Sequence, residues 1–327
     1  MNDFSQRILD WYAENGRDLP WRRTPEPYAV WLSEIILQQT RIAQGTAYWH
    51  RFMEQFPSVK DLADASEDQI LRLWEGLGYY SRARNLHKAA KQMAERGAFP
   101  DTLEGIRALP GVGDYTAAAI GSICFGIPAA VVDGNVYRVL ARYFGIETPV
   151  GSTQSKKEFT ALAQKLLPRE APAQFNQGLM DFGAIQCTPQ NPDCLTCPLQ
   201  GSCNAFLSGR TQLLPVKKPA AKPQERHLNY IYVRYKGETA IRRRGPGDIW
   251  QGLYEPLVLP RPKGRLVREK VKHQLTHRTL LADFYLWEPS HRPALPEGYI
   301  WIKETELDAY AKPRLFELLT ESVKAAP

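Results

Sequence analysis

The stretch Leu109-Pro110-Gly111-Val112-Gly113 stands directly before an uncharged, alanine-rich segment with helical spacing. Glycine adopts the backbone conformations of tight turns, so the pattern predicts a glycine turn at the N-terminus of a helix. Such a turn exposes backbone N–H groups, and a helix N-terminus favours negative charge. The turn could hold a phosphate without reading a base, although glycine turns also serve as plain connectors between helices.

Helical spacing extends on both sides of this turn, from Phe4 to about Phe206. Segments with apolar residues on one face alternate with glycine and proline. These segments are Asp68–Trp74, Ser81–Arg96, Tyr115–Phe125, Val136–Phe144 and Lys156–Leu167. We expect an almost purely α-helical domain.

Length and composition indicate a globular protein with two domains. The chain has 327 residues, of which 43% are hydrophobic and 24% charged, and each half is long enough to bury a core. The net charge of +7 modestly favours a polyanionic partner.

No secretory signal is recognisable at the N-terminus. Gly121, Gly126 and Pro128 interrupt the uncharged stretch Tyr115–Val132, which predicts a buried helix and a turn rather than a membrane span. We expect a cytoplasmic protein.

A segment rich in proline and lysine, Pro215–Pro223, is typical of a semi-extended linker. Beyond it, Leu228–Tyr235 and Leu280–Trp287 are rich in β-branched and aromatic residues and predict strands, whereas Lys312–Lys324 predicts a closing helix. A second domain of the α/β or α+β class follows from this pattern. The predicted bounds are 1–208 for the helical domain, 209–226 for the linker and 227–327 for the second domain.

Four of the five cysteines, Cys187, Cys194, Cys197 and Cys203, lie within 17 residues of a proline-rich segment. Thiolates suit either an iron-sulfur cluster or zinc. Structural zinc sites usually pair two Cys-x-x-Cys knuckles, and here only the middle two cysteines form such a pair. The spacing therefore favours iron-sulfur, and the clustering favours a reducing compartment. Cys124 is predicted to be a core residue.

Several segments together resemble a known family. Leu109–Gly113, Val132–Asn135 and the four-cysteine loop resemble the helix-hairpin-helix superfamily of DNA glycosylases with an endonuclease III-like iron-sulfur loop. Trp31–Thr40 and Gly76–Tyr80 narrow the resemblance to the MutY-type adenine DNA glycosylases. The resemblance covers most of the first 206 residues. It implies an all-α helix-hairpin-helix glycosylase domain with a 4Fe-4S cluster on the four cysteines, followed by an α/β Nudix-like domain.

The activity that the resemblance implies is base-excision repair. A MutY-type enzyme hydrolyses the N-glycosidic bond of adenine opposite 8-oxoguanine or guanine in double-stranded DNA. The resemblance also implies a monomer without membrane attachment. In its DNA-binding role, the turn would hold the backbone through Gly111, Val112 and Gly113.

Two carboxylates suit this chemistry. Glu34 lies among apolar residues on a predicted helix that begins at Pro27. If buried, it would have a raised pKa and could donate a proton near neutral pH, whereas an exposed or paired glutamate would not. Asp133 is a predicted N-cap that could stay ionised and face an electron-poor sugar. By resemblance, Glu34 protonates adenine and activates water, Asp133 stabilises the sugar cation, and Asn135 orients it.

Tyr115 stands where strand-cutting relatives of the endonuclease III type carry a nucleophilic lysine. A lysine amine forms a Schiff base with the sugar, which a tyrosine cannot do. We therefore predict a monofunctional glycosylase that leaves an abasic site. Tyr115 could also hydrogen-bond within the site, or simply pack.

An enzyme that acts on a base within a duplex must flip the base out and fill the gap. Leu37, Gln39 and Tyr79 are candidate wedge residues, and the resemblance places Gln39 and Tyr79 near the damaged guanine. The resemblance also implies an adenine pocket built from Arg17, Trp21, Arg22 and Asp181.

The second domain resembles the Nudix-like module that recognises 8-oxoguanine, on the residues Gly252–Pro256 and Lys272–His277. The tip of the latter loop is usually Phe-Ser-His in the family and is Leu275-Thr276-His277 here. Thr276 and His277 retain the capacity to hydrogen-bond, whereas the stacking of the family's phenylalanine is in doubt.

Two other functions are compatible with parts of the sequence. A Nudix-type pyrophosphate hydrolase needs a carboxylate-rich metal site, but Glu269 is the single acid within Arg265–Lys272 and the paired glutamates of a Nudix box are absent. A protein that only binds damaged DNA would not require both Glu34 and Asp133, so their joint presence argues against this function. The four-cysteine loop is expected to shape a DNA-binding surface, so cluster loss should weaken folding or DNA binding before base choice.

Overall fold

The computed structural model describes residues 2–218, 223–276 and 278–326. The chain forms two compact units. The first holds the described residues up to Lys60 and from Lys88 to Lys218, and the second holds Asp61–His87 and the described residues from Pro223 onward. The predicted linker lies partly outside the described residues, at 219–222, and its last three residues, 224–226, already belong to a strand. The predicted domain bounds stay a prediction.

Helices account for the regular structure that precedes the linker, in agreement with the helical spacing. They are α1 (Asp3–Asn15), α2 (Pro20–Arg23), α3 (Pro27–Leu37), α4 (Ile42–Gln55), α5 (Val59–Asp64), α6 (Glu67–Leu73), α7 (Ser81–Arg96), α8 (Leu103–Arg107), α9 (Asp114–Phe125), α10 (Gly134–Phe144), α11 (Thr153–Leu166), α12 (Pro172–Ile185) and α13 (Asn204–Leu207). A 3₁₀ turn, Gln200–Ser202, precedes α13.

The core of the first unit is built around α9 and α12. Helix α12 packs against α1, α9 and α10, and α3 packs against α9. Every residue of α9 from Thr116 to Ser122 is buried, and the helix ends at Gly126 in the left-handed conformation. The predicted buried helix followed by a turn is thereby confirmed. In the described ranges, no helix is both long and apolar enough to cross a membrane.

The loop between α9 and α10 is fixed by the buried side chain of Asn176 on α12. Its Oδ1 accepts a hydrogen bond from the Val131 N–H at 3.1 Å, and its Nδ2 donates to Ser122 Oγ at 2.9 Å and to the Ala129 carbonyl at 2.8 Å. Buried polar groups must be paired, so this one amide fixes the path of the chain into α10.

The second unit contains a six-stranded mixed sheet in the order β4-β5-β1-β3-β2-β6. Strands β1 and β5 are parallel, and the other neighbours are antiparallel. The apolar face of α14 covers the sheet with Leu315, Phe316, Leu319 and Val323. The elements are β1 (Gln224–Val233), β2 (Glu238–Arg243), β3 (Tyr254–Val258), β4 (Arg265–Gln274), β5 (Arg278–Trp287), β6 (Tyr299–Lys303) and α14 (Arg314–Ala325). The prediction of an α/β second domain is confirmed.

Asn176→Ala should lower the free energy of unfolding by about 2–4 kcal/mol, because it leaves a buried N–H, hydroxyl and carbonyl without their partner. Gln164→Ala is the matched control. The Gln164 amide bonds the same loop at the Pro128 carbonyl and the Ala130 N–H, but it is exposed, so water replaces it and we expect a loss below about 1 kcal/mol. Urea unfolding of both variants measures the difference, and equal losses would contradict this role of Asn176.

Candidate active site

A pocket of about 560 Å³ opens in the first unit between α2, α3, α9, α10 and α12. Among the residues singled out from the sequence, its walls contain Arg17, Trp21, Arg22, Glu34, Leu37, Gln39, Tyr115, Asp133 and Asn135. The structure thus brings together side chains that are far apart in the sequence, from Arg17 to Asn135. The volume is within the usual range for small-molecule sites.

Glu34 is half-buried on α3, whose other residues are mostly apolar and buried. Helix α3 begins with Pro27, and the Glu26 side chain caps it by accepting from the Ala29 N–H at 2.8 Å. The pKa of Glu34 is raised to about 7, chiefly by burial and also by the nearby charge of Asp133, against the opposing effects of Arg22 and of a hydrogen bond with Tyr115. A carboxyl group with this pKa exchanges a proton near neutral pH.

Tyr115 lies in the first turn of α9 and hydrogen-bonds Glu34. Its hydroxyl is also 3.5 Å from the sulfur of Met180. Burial raises the pKa of Tyr115 well above its ordinary value, and the carboxylates of Glu34 and Asp133 act in the same direction. The phenol therefore stays protonated and can donate to Glu34.

Asp133 is the N-cap of α10, as predicted. Its Oδ1 accepts from the N–H groups of Asn135 and Val136, both at 2.8 Å, and its Oδ2 accepts from Asn135 Nδ2 at 2.8 Å. Burial raises the pKa of Asp133, and these three hydrogen bonds oppose the rise. The two carboxylates of the pocket thus have different surroundings, since Asp133 is bound to backbone N–H groups at a helix N-terminus and Glu34 is not.

Asp181 does not line the pocket itself. Its side chain is fully buried on α12, where Arg22 donates to Oδ2 at 2.7 Å and Arg17 Nε donates to Oδ1 at 2.9 Å. Burial alone would raise the pKa of Asp181, but its hydrogen bonds with Arg22 and Arg17 outweigh burial and lower it. The ionised carboxylate holds both guanidinium groups at the pocket, next to the buried Trp21.

Gln177 is a pocket residue that sequence reasoning missed. It is nearly buried on α12, lines the pocket, and its Oε1 makes no hydrogen bond within the described residues. A glutamine in a helix gives no sequence signal of its own. Its position one turn before Asp181 on the same helix is the feature that could have indicated it.

Two of the three candidate wedge residues, Gln39 and Tyr79, lie at positions of unusual backbone conformation. Gln39 follows α3 with a φ of +57°, and Tyr79 has a φ of +47° in the second unit. Non-glycine residues rarely adopt this region, and such strain is concentrated at functional sites. Gln39 is exposed, Leu37 is half-buried, and both line the pocket.

The glycine turn has the predicted geometry at the start of α9. Gly111 has a φ of +80°, and Gly113 is the N-cap of α9, with open space around the position of a Cβ. The Val112 side chain is buried, and its N–H donates to the Leu109 carbonyl at 3.1 Å. Val112 therefore closes the turn, while the two exposed glycines form the surface that an anion could approach.

In the second unit, Tyr79 and Thr276 are joined by a hydrogen bond between their hydroxyl groups. Both residues are exposed. Leu275 packs partly against the sheet core, and its N–H donates to the Arg278 carbonyl at 2.8 Å, which closes the loop. His277, the other residue predicted in this loop, lies outside the described residues.

The four cysteines of the loop line one small cavity beside α10. Burial raises the pKa of the Cys197 thiol to about 11 and also raises the pKa of Cys194 and of Cys203. Four half-buried thiols around one cavity fit a cluster that takes one thiolate on each iron. Cys124 is half-buried on α9, and its thiol pKa is raised to about 12, chiefly by burial, so it is no candidate nucleophile.

Two buried arginines of α10 connect this loop to the pocket. Arg138 donates to the Cys187 carbonyl at 2.7 Å and to Asn135 Oδ1 at 2.8 Å. Arg142 donates to the Thr188 carbonyl at 2.7 Å and lies 3.3 Å from the sulfur of Cys187. The cysteine loop and the Asp133 cap, which are far apart in sequence, are thus held by the same helix.

Three family models match the chain. Residues 32–169 match the HhH-GPD superfamily of base excision DNA repair proteins, residues 187–203 match the iron-sulfur binding domain of endonuclease III, and residues 229–322 match the NUDIX domain. The second match confirms the prediction of an iron-sulfur cluster rather than zinc, and the cofactor is a 4Fe-4S cluster. The third confirms the Nudix-like second domain.

Solved structures and curated relatives agree with these matches. A thermostable thymine-DNA glycosylase is 32% identical, with a TM-score of 0.57 over 63% of this chain and 95% of that one. An endonuclease III in complex with DNA, 23% identical with a TM-score of 0.54 over 63% and 94%, shares the fold. The adenine DNA glycosylase of Homo sapiens is 45% identical over 62% of this chain and 39% of its own. That of Buchnera aphidicola from Acyrthosiphon pisum is 36% identical over 77% and 73%. The chain belongs to the adenine DNA glycosylase family.

Proposed function

We propose that this enzyme hydrolyses the N-glycosidic bond of adenine paired with 8-oxoguanine in duplex DNA and leaves an abasic site without cutting the strand. The observation that carries the proposal is the pairing of Glu34, whose pKa is raised to about 7, with the capped Asp133 in one pocket. We also propose that it acts in the cytoplasm, as the sequence predicts, and as a monomer, as the family resemblance implies.

Glu34 is proposed as the general acid. Adenine leaves poorly as an anion, so protonation of its ring by a carboxylic acid lowers the barrier to bond cleavage. The hydrogen bond between Tyr115 and Glu34 orients this carboxyl group. After the bond breaks, the Glu34 carboxylate can accept a proton from the attacking water.

Asp133 is proposed to stabilise the sugar cation. Cleavage leaves positive charge on the sugar, which a fixed carboxylate stabilises most when it needs no rearrangement. The hydrogen bonds from Asn135 and Val136 hold the Asp133 side chain in one orientation. Asn135 is in turn held by Arg138, so it acts as a positioning residue.

The cysteines Cys187, Cys194, Cys197 and Cys203 hold the 4Fe-4S cluster. When bound, the cluster supplies a covalent cross-link of this loop, whose backbone carbonyls bind Arg138 and Arg142. The cysteine loop therefore supports the helix that Asp133 caps.

Recognition of 8-oxoguanine is proposed to rest on the second unit, through Tyr79 and Thr276. Their hydroxyl groups are joined in an exposed loop region, where both can turn toward the edge of a base. Gln39, with a strained backbone in the first unit, is proposed to enter the duplex with Leu37.

Glu34→Gln should lower the single-turnover rate of adenine release at least about 100-fold, because glutamine cannot donate a proton. The wild-type rate should fall about tenfold per pH unit above pH 7 as the acid ionises, and the residual rate of the variant should lack this dependence. Rapid-quench assays on a duplex with adenine opposite 8-oxoguanine measure both. Equal release by the two proteins would contradict the mechanism.

The same variant provides a folding control. A carboxyl group with a raised folded-state pKa stabilises the fold in its protonated form below about pH 4.5, and this stability is lost as the pH rises through about 7. Glutamine has no such loss. Urea unfolding should therefore show that Glu34→Gln is more stable than wild type by about 2 kcal/mol at pH 8 and by much less at pH 5.

A monofunctional enzyme forms no covalent intermediate with the sugar. We expect borohydride to trap no adduct on a substrate duplex, and the product strand to break only after treatment with alkali, because Tyr115 has no amine. A strand-cutting glycosylase with the lysine serves as the positive control. Efficient trapping together with strand cleavage would contradict this assignment.

Thr276→Val and Tyr79→Phe each break the hydrogen bond between the two hydroxyl groups. Each should reduce the preference for 8-oxoguanine over guanine opposite adenine by about fivefold. The double variant should lose no more than either single one, because the two residues act through one hydrogen bond. Ratios of kcat/KM on the two duplexes measure the preference. Thr279→Val is the control, since its hydroxyl bonds Gln274 instead, and an equal loss there would contradict the assignment.

A further inference from the structure

The edge of the sheet in the second unit carries most of the net charge of the chain. Between Arg261 and Lys272, six of twelve residues are lysine or arginine and Glu269 is the only acid, a net charge of +5 against +7 for all 327 residues. All of these charged side chains are exposed. We call residues Arg261–Lys272 the basic edge.

The basic edge includes most of β4, which pairs with β5 alone and ends the sheet. The ten residues of β4 span roughly 33 Å, close to one turn of duplex DNA. Two register shifts interrupt its pairing, and at the second of them Lys270 has a φ of +51° and its N–H donates to Asp283 Oδ1 at 2.7 Å. These bulges prevent regular addition of another strand.

Three cations of β4 stand apart from the carboxylates of the described residues. Within the described ranges, Arg268, Lys270 and Lys272 form no ion pair with an acidic side chain. Arginines elsewhere in the same unit do, for example Arg226 with Asp248 at 2.6 Å and Arg314 with Glu321 at 2.7 Å. The difference matters because an unpaired cation is available to an external anion.

A charged edge also protects a sheet against edge-to-edge association. Positive charges, negative charges or a mixture of both can protect a sheet edge in this way. A run of one sign, on a strand that bulges already protect, indicates a polyanion as partner. Strand β4 also leads directly into the loop of Thr276, at which we propose that the lesion is read.

We infer that the basic edge binds the phosphate backbone of the substrate duplex, beyond the bases that Tyr79 and Thr276 contact. The inference rests on the proposed function for the identity of the polyanion. It predicts contacts without base specificity, which raise the affinity for any duplex and make it depend on salt concentration.

The test compares two triple variants of the full chain that lose the same charge. In the first, Arg268, Lys270 and Lys272 are changed to glutamine. In the control, the exposed Lys236, Lys303 and Lys324 of the same unit are changed to glutamine. Fluorescence anisotropy measures Kd for an unmodified duplex of about 30 base pairs, or three turns, over a series of salt concentrations.

Each lost phosphate contact should lower the slope of log Kd against log salt by about 0.9. We expect a decrease of about 2 to 3 for the basic-edge variant and of less than about 1 for the control. Equal slopes for the two variants would overturn the inference. So would a basic-edge variant whose DNA binding is unchanged but which self-associates in sedimentation or binds RNA more weakly than wild type. Single-turnover adenine release at saturating enzyme should be unchanged in both variants. If wild type releases no adenine, the proposed function fails, while the slopes still decide whether the basic edge binds DNA.

Discussion

The hydrogen bonds that Asp133 accepts from the first turn of α10 are the interaction on which the helical unit depends. They begin the helix, and they also fix a carboxylate in the wall of the pocket. Further along the same helix, Arg138 and Arg142 bind carbonyl groups of the cysteine loop. Asn176 fixes the chain just before Asp133. A disturbance at any of these points would therefore reach the carboxylate, either along α10 or through the loop before it.

The surroundings of the two carboxylates explain their different proposed roles. Glu34 is placed by a helix that is apolar on all sides, so desolvation dominates and raises its pKa. Burial raises the pKa of Asp133 as well, but this residue is placed at a helix N-terminus, where N–H groups oppose the rise and favour the charged form. Repulsion between the two carboxylates also favours the protonated form of Glu34, because the charge of Asp133 raises the pKa of Glu34. One acid and one anion are therefore obtained from two residues of similar intrinsic acidity.

Much of this arrangement could be predicted from local patterns, and the remainder could not. The helices, the glycine turn and the capping by Asp133 follow from neighbours within a few residues, whereas the neighbours of Glu34 leave its surroundings open. The buried pairing of Asp181 with two arginines, and the place of Gln177 in the pocket, depend on contacts between helices distant in sequence. Helical spacing indicates which face of a segment is buried but not what covers it. For the same reason, nothing in the segment Asp61–His87 indicates that it folds with the C-terminal unit.

The second unit has the fold of a NUDIX domain, yet its buried carboxylate is unsuited to the metal chemistry of Nudix hydrolases. Glu255 is almost fully buried and is bound by both Arg242 and Arg244. A carboxylate neutralised by two guanidinium groups is a poor ligand for a divalent cation, which requires oxygen donors with available charge. In contrast, Arg268, Lys270 and Lys272 of the basic edge form no ion pair with an acidic side chain of the described residues. The buried acid of this sheet is thus used within the fold, whereas Arg268, Lys270 and Lys272 are left for an external anion, a distribution that suits binding of DNA better than hydrolysis of a nucleotide.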